Sequence, residues 1–212
     1  MAVVGIDRVY LGVFDDKGNV LTDAETGLAT TGVIEVTNDM LGTAAVNLQI
    51  SKSGEEIDGN NSEVGYIKSL PTAQMDVQFN NLPFDIQNKI LGRVKSGAGY
   101  VDTMANVYCG IIAKSPCMDM KHYVYYCMGK CVATPKGKNM QSNTSKKVNR
   151  VVDDISFEGV ACDKTDGMPY LVASDMESDF NAATLFSQIF PSQTLITGSG
   201  VTSATTGQQG KQ

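Results

Sequence analysis

The residues able to do chemistry are few and poorly spaced for it. His122 is the only histidine. A nucleophile–base–acid relay would have to run through it, yet no serine or cysteine carries a catalytic signature near it. It opens a stretch that reads as a strand. Cys127 and Cys131 have the outline of half a metal site, but their C-x-x-x-C spacing lies in a segment that reads as extended. Four residues of straight strand span about 13 Å, too far for two sulfurs to share an ion or bond each other. With Cys109, Cys117 and Cys162 the chain has five cysteines. An odd count without a secretory leader reads as free structural thiols. Gly97-Ala98-Gly99 lacks the spacing and the Lys-Ser/Thr of a phosphate loop and reads as a turn. Glu55-Glu56 and Asp153-Asp154 are adjacent pairs. Neighbours on a strand point to opposite faces, so neither makes an acid–base couple. No catalysis, metal or cofactor is expected.

With chemistry set aside, charge is the more informative signal. The formal net charge is -6 and the pI about 4.7, which argues against stable nucleic-acid binding. An acidic wall that lets DNA slide past is compatible with it. The start, Met1-Ala-Val-Val-Gly-Ile-Asp-Arg, has no basic region leading into an apolar run, so no signal peptide is expected. No apolar stretch approaches the roughly 18 residues of a membrane span, and synthesis in a cytoplasm is expected. The charges are unevenly placed. Residues 51–69 carry Glu55, Glu56, Asp58 and Glu63 against Lys52 and Lys68, among several glycines. Further on come Lys130, Lys136, Lys138, Lys146, Lys147 and Arg150, with no acidic residue between the first and the last.

The elements that would position these groups are mostly strands. Residues 3–14 and 31–37 read as the first two, separated by the turn signal Asp15-Asp16-Lys17-Gly18-Asn19. The clearest pattern is in residues 44–51 and 73–80. Val46, Leu48 and Ile50 alternate with Asn47, Gln49 and Ser51; Met75, Val77 and Phe79 alternate with Asp76, Gln78 and Asn80. A period of two gives each strand one apolar and one polar face. Residues 51–69 between them are too long for a tight turn and read as a long loop. Residues 83–91 read as a short helix: Pro83 at its start, Asp85 and Lys89 matching the dipole, Gly92 as the stop, and Leu82, Ile86 and Ile90 on one face. Strands follow at 106–114, 122–132 and 150–162, the last with Ile155 and Phe157 opposite Asp154, Ser156 and Glu158. A second helix is expected over 177–190, capped by Ser178. The fold class is mainly β (α+β), with one short helix able to cover one sheet face. One domain should occupy residues 1–190, with a flexible Ser/Thr/Gly/Gln-rich tail over 191–212.

Taken in order, these segments resemble the major tail proteins of long, non-contractile-tailed bacteriophages of Gram-positive bacteria. The opening VGIDRVYLGVF is similar to that family's start. AQMDVQFNNLPFDIQNKILG (73–92) resembles its polar-alternating strand, Leu-Pro, turn of helix and Leu-Gly. KHYVYYCMGKCVATP (121–135) looks like its aromatic strand and Pro-containing loop, and DISFEGVACDK (154–164) like its late strand. The cysteines, the methionine content and the C-terminal tail depart from the shared pattern.

The resemblance implies a β-sandwich or barrel of tail-tube type with a flanking short helix, in a structural virion protein whose hexameric rings close their inner strands into one barrel. Rings would stack into a tail tube around a tape-measure protein, with tail terminator and distal tail or baseplate proteins as further partners. Double-stranded DNA would pass through without stable binding. Assembly would occur in the host cytoplasm, with no membrane partner. A tube of a contractile tail or secretion-like apparatus and a monomeric β-rich binding module remain as alternatives. Under the leading reading, the lumen-facing residues would be Asn47, Gln49, Asp76, Gln78, Asn80, Asp154 and Glu158, polar and weakly acidic with no Lys or Arg among them. Ring-to-ring contact would pair Glu55, Glu56, Asp58 and Glu63 with Lys136, Lys138, Lys146, Lys147 and Arg150, acid against base.

Overall fold

In the computed structural model, residues 2–59, 62–138, 140–143 and 148–195 are described; of residues 56, 58, 59 and 62–64, the backbone alone. The strands are β1 (Arg8–Phe14), β2 (Val33–Glu35), β3 (Thr43–Ser51), β4 (Gly54–Gly59), β5 (Ser62–Lys68), β6 (Thr72–Phe79), β7 (Val94–Ser96), β8 (Gly99–Val101), β9 (Tyr108–Pro116), β10 (Tyr123–Pro135), β11 (Asp153–Gly159) and β12 (Leu171–Ser174). The helices are α1 (Phe84–Ile90) and α2 (Ala182–Ile189). The fold is mainly β with two short helices, as the periodicity implies.

The main sheet is antiparallel, in the order β2-β1-β9-β10-β11-β6-β3. β10 is long enough to be shared. Its first half pairs with β12 and its second half with β11, while β9 runs along its other edge. Between Met128 and Cys131 the register against β9 shifts, so β10 carries a bulge, and a bulge bends a strand. The sheet folds over itself there. One buried cluster gathers Val9, Leu11, Cys109 and Ile111 from β1 and β9 with Met75, Val77, Phe79, Ile155 and Phe157 from β6 and β11. This is a sandwich made from one continuous sheet. It does not close: β2 and β3 are its two ends, and the subunit alone is not a barrel.

The outer face of β1, β9 and β10 is covered by α2. A second cluster joins Tyr10, Phe14, Ile112 and Cys127 to Leu185, Phe186, Ile189 and Phe190. The bulge thus sends Cys127 to the helix side and Cys131 to the sandwich core. The two thiols are kept apart by opposite faces rather than by the length of a straight strand. Asn181, not Ser178, caps α2; its side chain accepts from Ala183 N at 2.9 Å and Thr184 N at 3.1 Å. Phe180 just before it stacks on Tyr125, with ring centroids 5.1 Å apart.

α1 packs through Leu82 and Ile90, both buried, with Ile86 half-buried at the margin. Pro83 is its N-cap rather than its first helical residue, and Gly92 ends it at φ +66°. Lys89 bonds Asp85 at 3.1 Å and donates to the carbonyls of Ala24 (2.9 Å) and Gly27 (3.0 Å), tying the loop after β1 to the helix. Gly97 and Ala98 form the turn of the small β7–β8 hairpin.

Gly54–Gly59 and Ser62–Lys68, within the expected loop, are strands. β4 and β5 pair antiparallel from Gly54↔Lys68 to Gly59↔Ser62, continuing the β3–β6 pair outward as an arm. Its base is fastened at Ser53 and Ser69. Ser69 N bonds Ser53 O at 3.0 Å, and the two hydroxyls lie 2.6 Å apart. Ile57, Tyr66 and Ile67 on the arm are exposed.

Candidate functional site

The polar sides of β3, β6 and β11 form one face. Rows of opposite residues run Gln49–Gln74–Glu158, Asn47–Asp76–Ser156 and Ala45–Gln78–Asp154. Directly opposite residues lie on the same side of a sheet. Six of the seven residues named as lumen candidates therefore share this surface: Asn47, Gln49, Asp76, Gln78, Asp154 and Glu158. Asn80 sits just beyond β6, where its amide donates to Leu41 O at 2.8 Å. The opposite sides of β6 and β11 are core, with Met75 1% exposed and Val77, Phe79, Ile155 and Phe157 at 0%. One face is thus rigidly backed, and the other is a polar pavement. Gln74 and Ser156 belong to it by the same alternation that marks Asp76.

The structure also brings cations to this face. Lys136 continues from the end of β10, its N–H bonded to Asp154 O at 2.9 Å. Its ammonium lies 2.5 Å from Asp76 Oδ2. Asp76 Oδ1 accepts from Ser156 Oγ at 2.8 Å and Gln74 Nε2 at 2.9 Å. Burial alone would raise the Asp76 pKa. The hydrogen bonds from Gln74, Lys136 and Ser156, with the Lys136 charge, outweigh it and hold the carboxyl below its usual range. Lys138 pairs with Asp153, whose other oxygen accepts from Leu82 N at 3.1 Å. Arg150 donates to Asn80 Oδ1. Gln78 Nε2 reaches Asp154 Oδ2 at 3.2 Å, and Asp154 Oδ1 is buried with no hydrogen-bond partner among the described residues.

These contacts set an expected result. Asp76→Ala strands a hydroxyl, an amide and an ammonium at a side chain only 12% exposed. It should cost about 1–3 kcal/mol at neutral pH, measured by urea unfolding. A depressed carboxyl pKa stabilises above the ordinary value of about 4 and stops doing so as pH falls through the folded value. The gap between wild type and variant should therefore close in acid. A gap that persists unchanged below about pH 3 would mean that the ionised form contributes nothing.

A sequence model of the family described as phage tail tube protein matches residues 1–197. The chain belongs to the phage tail tube proteins. None of the curated proteins is similar enough to match it. Membership makes it a structural component of a virion, one that assembles into a tube with other phage tail proteins. No helix among the described residues is long and apolar enough to cross a membrane.

The charged residues expected to make ring-to-ring contact are only partly within the described residues. Of the basic group, Lys136, Lys138 and Arg150 are each engaged within their own subunit; Lys146 and Lys147 lie outside the described residues. Of the acidic group, Glu55 is exposed on the arm, and the side chains of Glu56, Asp58 and Glu63 lie outside the description. The expected flexible tail falls largely outside it too, though Leu195 packs against the α2 cluster. His122 precedes β10, its Nδ1 3.3 Å from Asp175 Oδ1 and its Nε2 3.8 Å from Asp119 Oδ2. Four cysteines are buried and Cys162 is half-buried. No group of His, Cys, Asp or Glu among the described residues is arranged to hold a metal.

Proposed function

We propose that this protein is the major subunit of the tail tube of a long, non-contractile phage tail, that of a phage infecting a Gram-positive host. Six copies close into a ring, rings stack around a tape-measure protein, and the genome later leaves through the bore. Tail terminator and distal tail or baseplate proteins finish the two ends, and assembly takes place in the host cytoplasm. One observation carries this reading. The polar sides of β3, β6 and β11 share one face, which fully buried apolar residues back along β6 and β11, and β3 is a sheet edge. An open edge of nine residues is a row of unpaired backbone groups, which ring closure would satisfy. In that ring Asn47, Gln49, Asp76, Gln78, Asp154 and Glu158 line the bore, with Asn80 at its rim. Lys136 on Asp76 offsets one of the wall's carboxylates and leaves Asp154 and Glu158, so the surface stays weakly acidic and does not hold phosphates. The acidic arm projects beyond the sandwich and is the element placed to reach a neighbouring ring. Lys146 and Lys147 are the members of the basic group left as counterparts once Lys136, Lys138 and Arg150 are spoken for.

Electron microscopy of the purified protein is the test. Hollow tubes of stacked rings are expected, with the β3–β6–β11 face inward. Particles that sediment as monomers at every concentration would favour a binding module instead. A map placing Asn47, Gln49, Asp76 and Gln78 on the outside would end the lumen assignment.

A further inference from the structure

Two of the cysteines face each other. Cys109 on β9 and Cys131 on β10 are directly opposite in the register. Both belong to the sandwich cluster and both are 0% exposed, so their side chains share one side of the sheet. Each thiol donates across to the other residue's carbonyl. Cys131 Sγ lies 3.1 Å from Cys109 O, and Cys109 Sγ 3.6 Å from Cys131 O. Burial raises the Cys131 thiol well above its ordinary value, and its hydrogen bond with Cys109 adds to the shift. Cys127 is buried too but looks the other way, with Ile112 opposite it on β9 and Leu171 on β12. A buried thiol of that kind is an inert apolar filler. Cys109 and Cys131 differ from it in that each has a second thiol within reach.

A disulfide requires Cα atoms about 4.4–6.8 Å apart and Cβ atoms about 3.5–4.5 Å apart. Directly opposite residues of an antiparallel pair have Cα atoms about 4.5 or 5.5 Å apart and Cβ atoms about 4.5–5.5 Å apart. The backbone spacing is therefore already met, and the Cβ atoms need to close by about 1 Å. β10 has slack at that point. From Met128 to Cys131 it advances three residues, while β9 advances two from Ile111 to Cys109. The extra residue loosens the ladder just before Cys131, and Gly129 lies within that stretch. Turning each sulfur away from the opposite carbonyl gives up two weak S–H bonds and brings the sulfurs together. A virion component ends outside the cell that made it, and thiols kept reduced inside a cell meet oxidants there.

We propose that Cys109 and Cys131 are an oxidation site, which peroxide converts to an intrachain disulfide that locks β9 to β10 beside the bulge. Hydrogen peroxide transfers one oxygen to the first thiol, giving a sulfenic acid and one water. The second sulfur attacks the first, the S–S bond forms, and the sulfenic oxygen leaves as another water with the second thiol's proton. Two thiols thus lose two electrons and two protons, and one peroxide becomes two waters. A thiol directly opposite captures the sulfenic acid before it can go on to sulfinic acid. Burial keeps the reactive thiolate scarce, so closure is slow and follows folding. The bond spans the β9–β10 hairpin at the place where the sheet turns from its helix-covered half to the sandwich. It lies within one subunit and does not depend on the tube reading.

The test uses the folded wild-type subunit, freed of reductant and given prolonged treatment with hydrogen peroxide. Remaining thiols are then alkylated in denaturant, and the peptides are mapped by mass spectrometry. A peptide pair joined through Cys109 and Cys131, lighter by two hydrogens and separating on reduction, is expected. Cys162→Ser should give the same link, since the half-buried Cys162 is the competing target. The oxidised subunit should unfold in urea with an equilibrium constant about tenfold or more below that of the reduced one, and reduction should abolish the difference. Full alkylation of Cys109 and Cys131 after treatment that has oxidised Cys162 overturns the site. So does a bond from either of them to Cys162 or to another chain. A Cys109–Cys131 bond that leaves urea unfolding unchanged overturns the lock.

Discussion

Phe190→Ala should destabilise the subunit by about 3–5 kcal/mol, the range for emptying an aromatic site in a close-packed core. Phe190 is 0% exposed and sits where α2 ends against the sheet. Its ring lies 5.1 Å from Phe186 and 6.3 Å from Phe14, and Phe186 meets Tyr10 edge-on at 5.5 Å. The sheet is shaped to receive it. Gly12 on β1 and Gly110 on β9 are directly opposite each other. A Cβ at Gly12 would fall 3.0 Å from the Phe190 ring, and one at Gly110 2.6 Å from Phe14 and 3.0 Å from Phe190. Two glycines side by side thus leave a hollow with no side chain to collapse into it, so the truncated site stays empty. A single domain has about 5–15 kcal/mol in all, which makes this a large fraction. Urea unfolding measures it. A loss below about 1 kcal/mol would mean that α2 is a loosely held cover. Gly110→Val should do comparable harm from the other side, by pushing the two rings out.

That hollow could not be read in advance, whereas the strands beside it could. In β6 the alternation of Met75, Val77 and Phe79 with Asp76 and Gln78 names both faces correctly, because a period of two has one physical meaning when one side is core. The same alternation in β3 places the strand, but Ile50 is 40% exposed, since the opposing half of the sandwich ends near Val3 and Ser115. The arm reads as a loop in the sequence for a related reason. With neither face against a core, β4 and β5 have no pattern to obey, and their glycines and charges look like a loop. The sequence reading puts the cap of α2 at Ser178, but the side chain that bonds the first turn is that of Asn181, next to Phe180 stacked on Tyr125. β12 is four residues long, and its strand character comes from β10, far away in sequence. The largest gap concerned charge. Lys136 lies in a basic run and Asp76 in a polar strand, and only the packing of β10 on β11 and β11 on β6 puts them 2.5 Å apart.

Adding positive charge to the polar face should slow DNA passage without harming the tube. Asn47→Lys with Gln49→Lys is the chosen pair, because both sit on the edge strand β3 and both are exposed. Gln78 is less suitable: it already bonds Asp154, which would neutralise a lysine placed there. Exposed substitutions of this kind typically change stability by no more than about 0.5 kcal/mol, so subunits should fold and tubes should form. Inside a bore, however, every ring repeats the two lysines. Each new phosphate contact releases counterions, and each adds about 0.9 to the slope of log affinity against log salt. Ejection at low salt should slow by about tenfold or more, and the defect should shrink as salt rises. The comparison is Asn47→Asp with Gln49→Glu, which disturbs the same positions with the opposite charge and should leave ejection fast. If the lysine variant ejects DNA at the wild-type rate at low salt while its tubes look normal, the β3–β6–β11 face does not meet the genome. If both variants are slow to the same extent, the effect is one of shape, and the weakly acidic charge of the wall has no part in letting DNA pass.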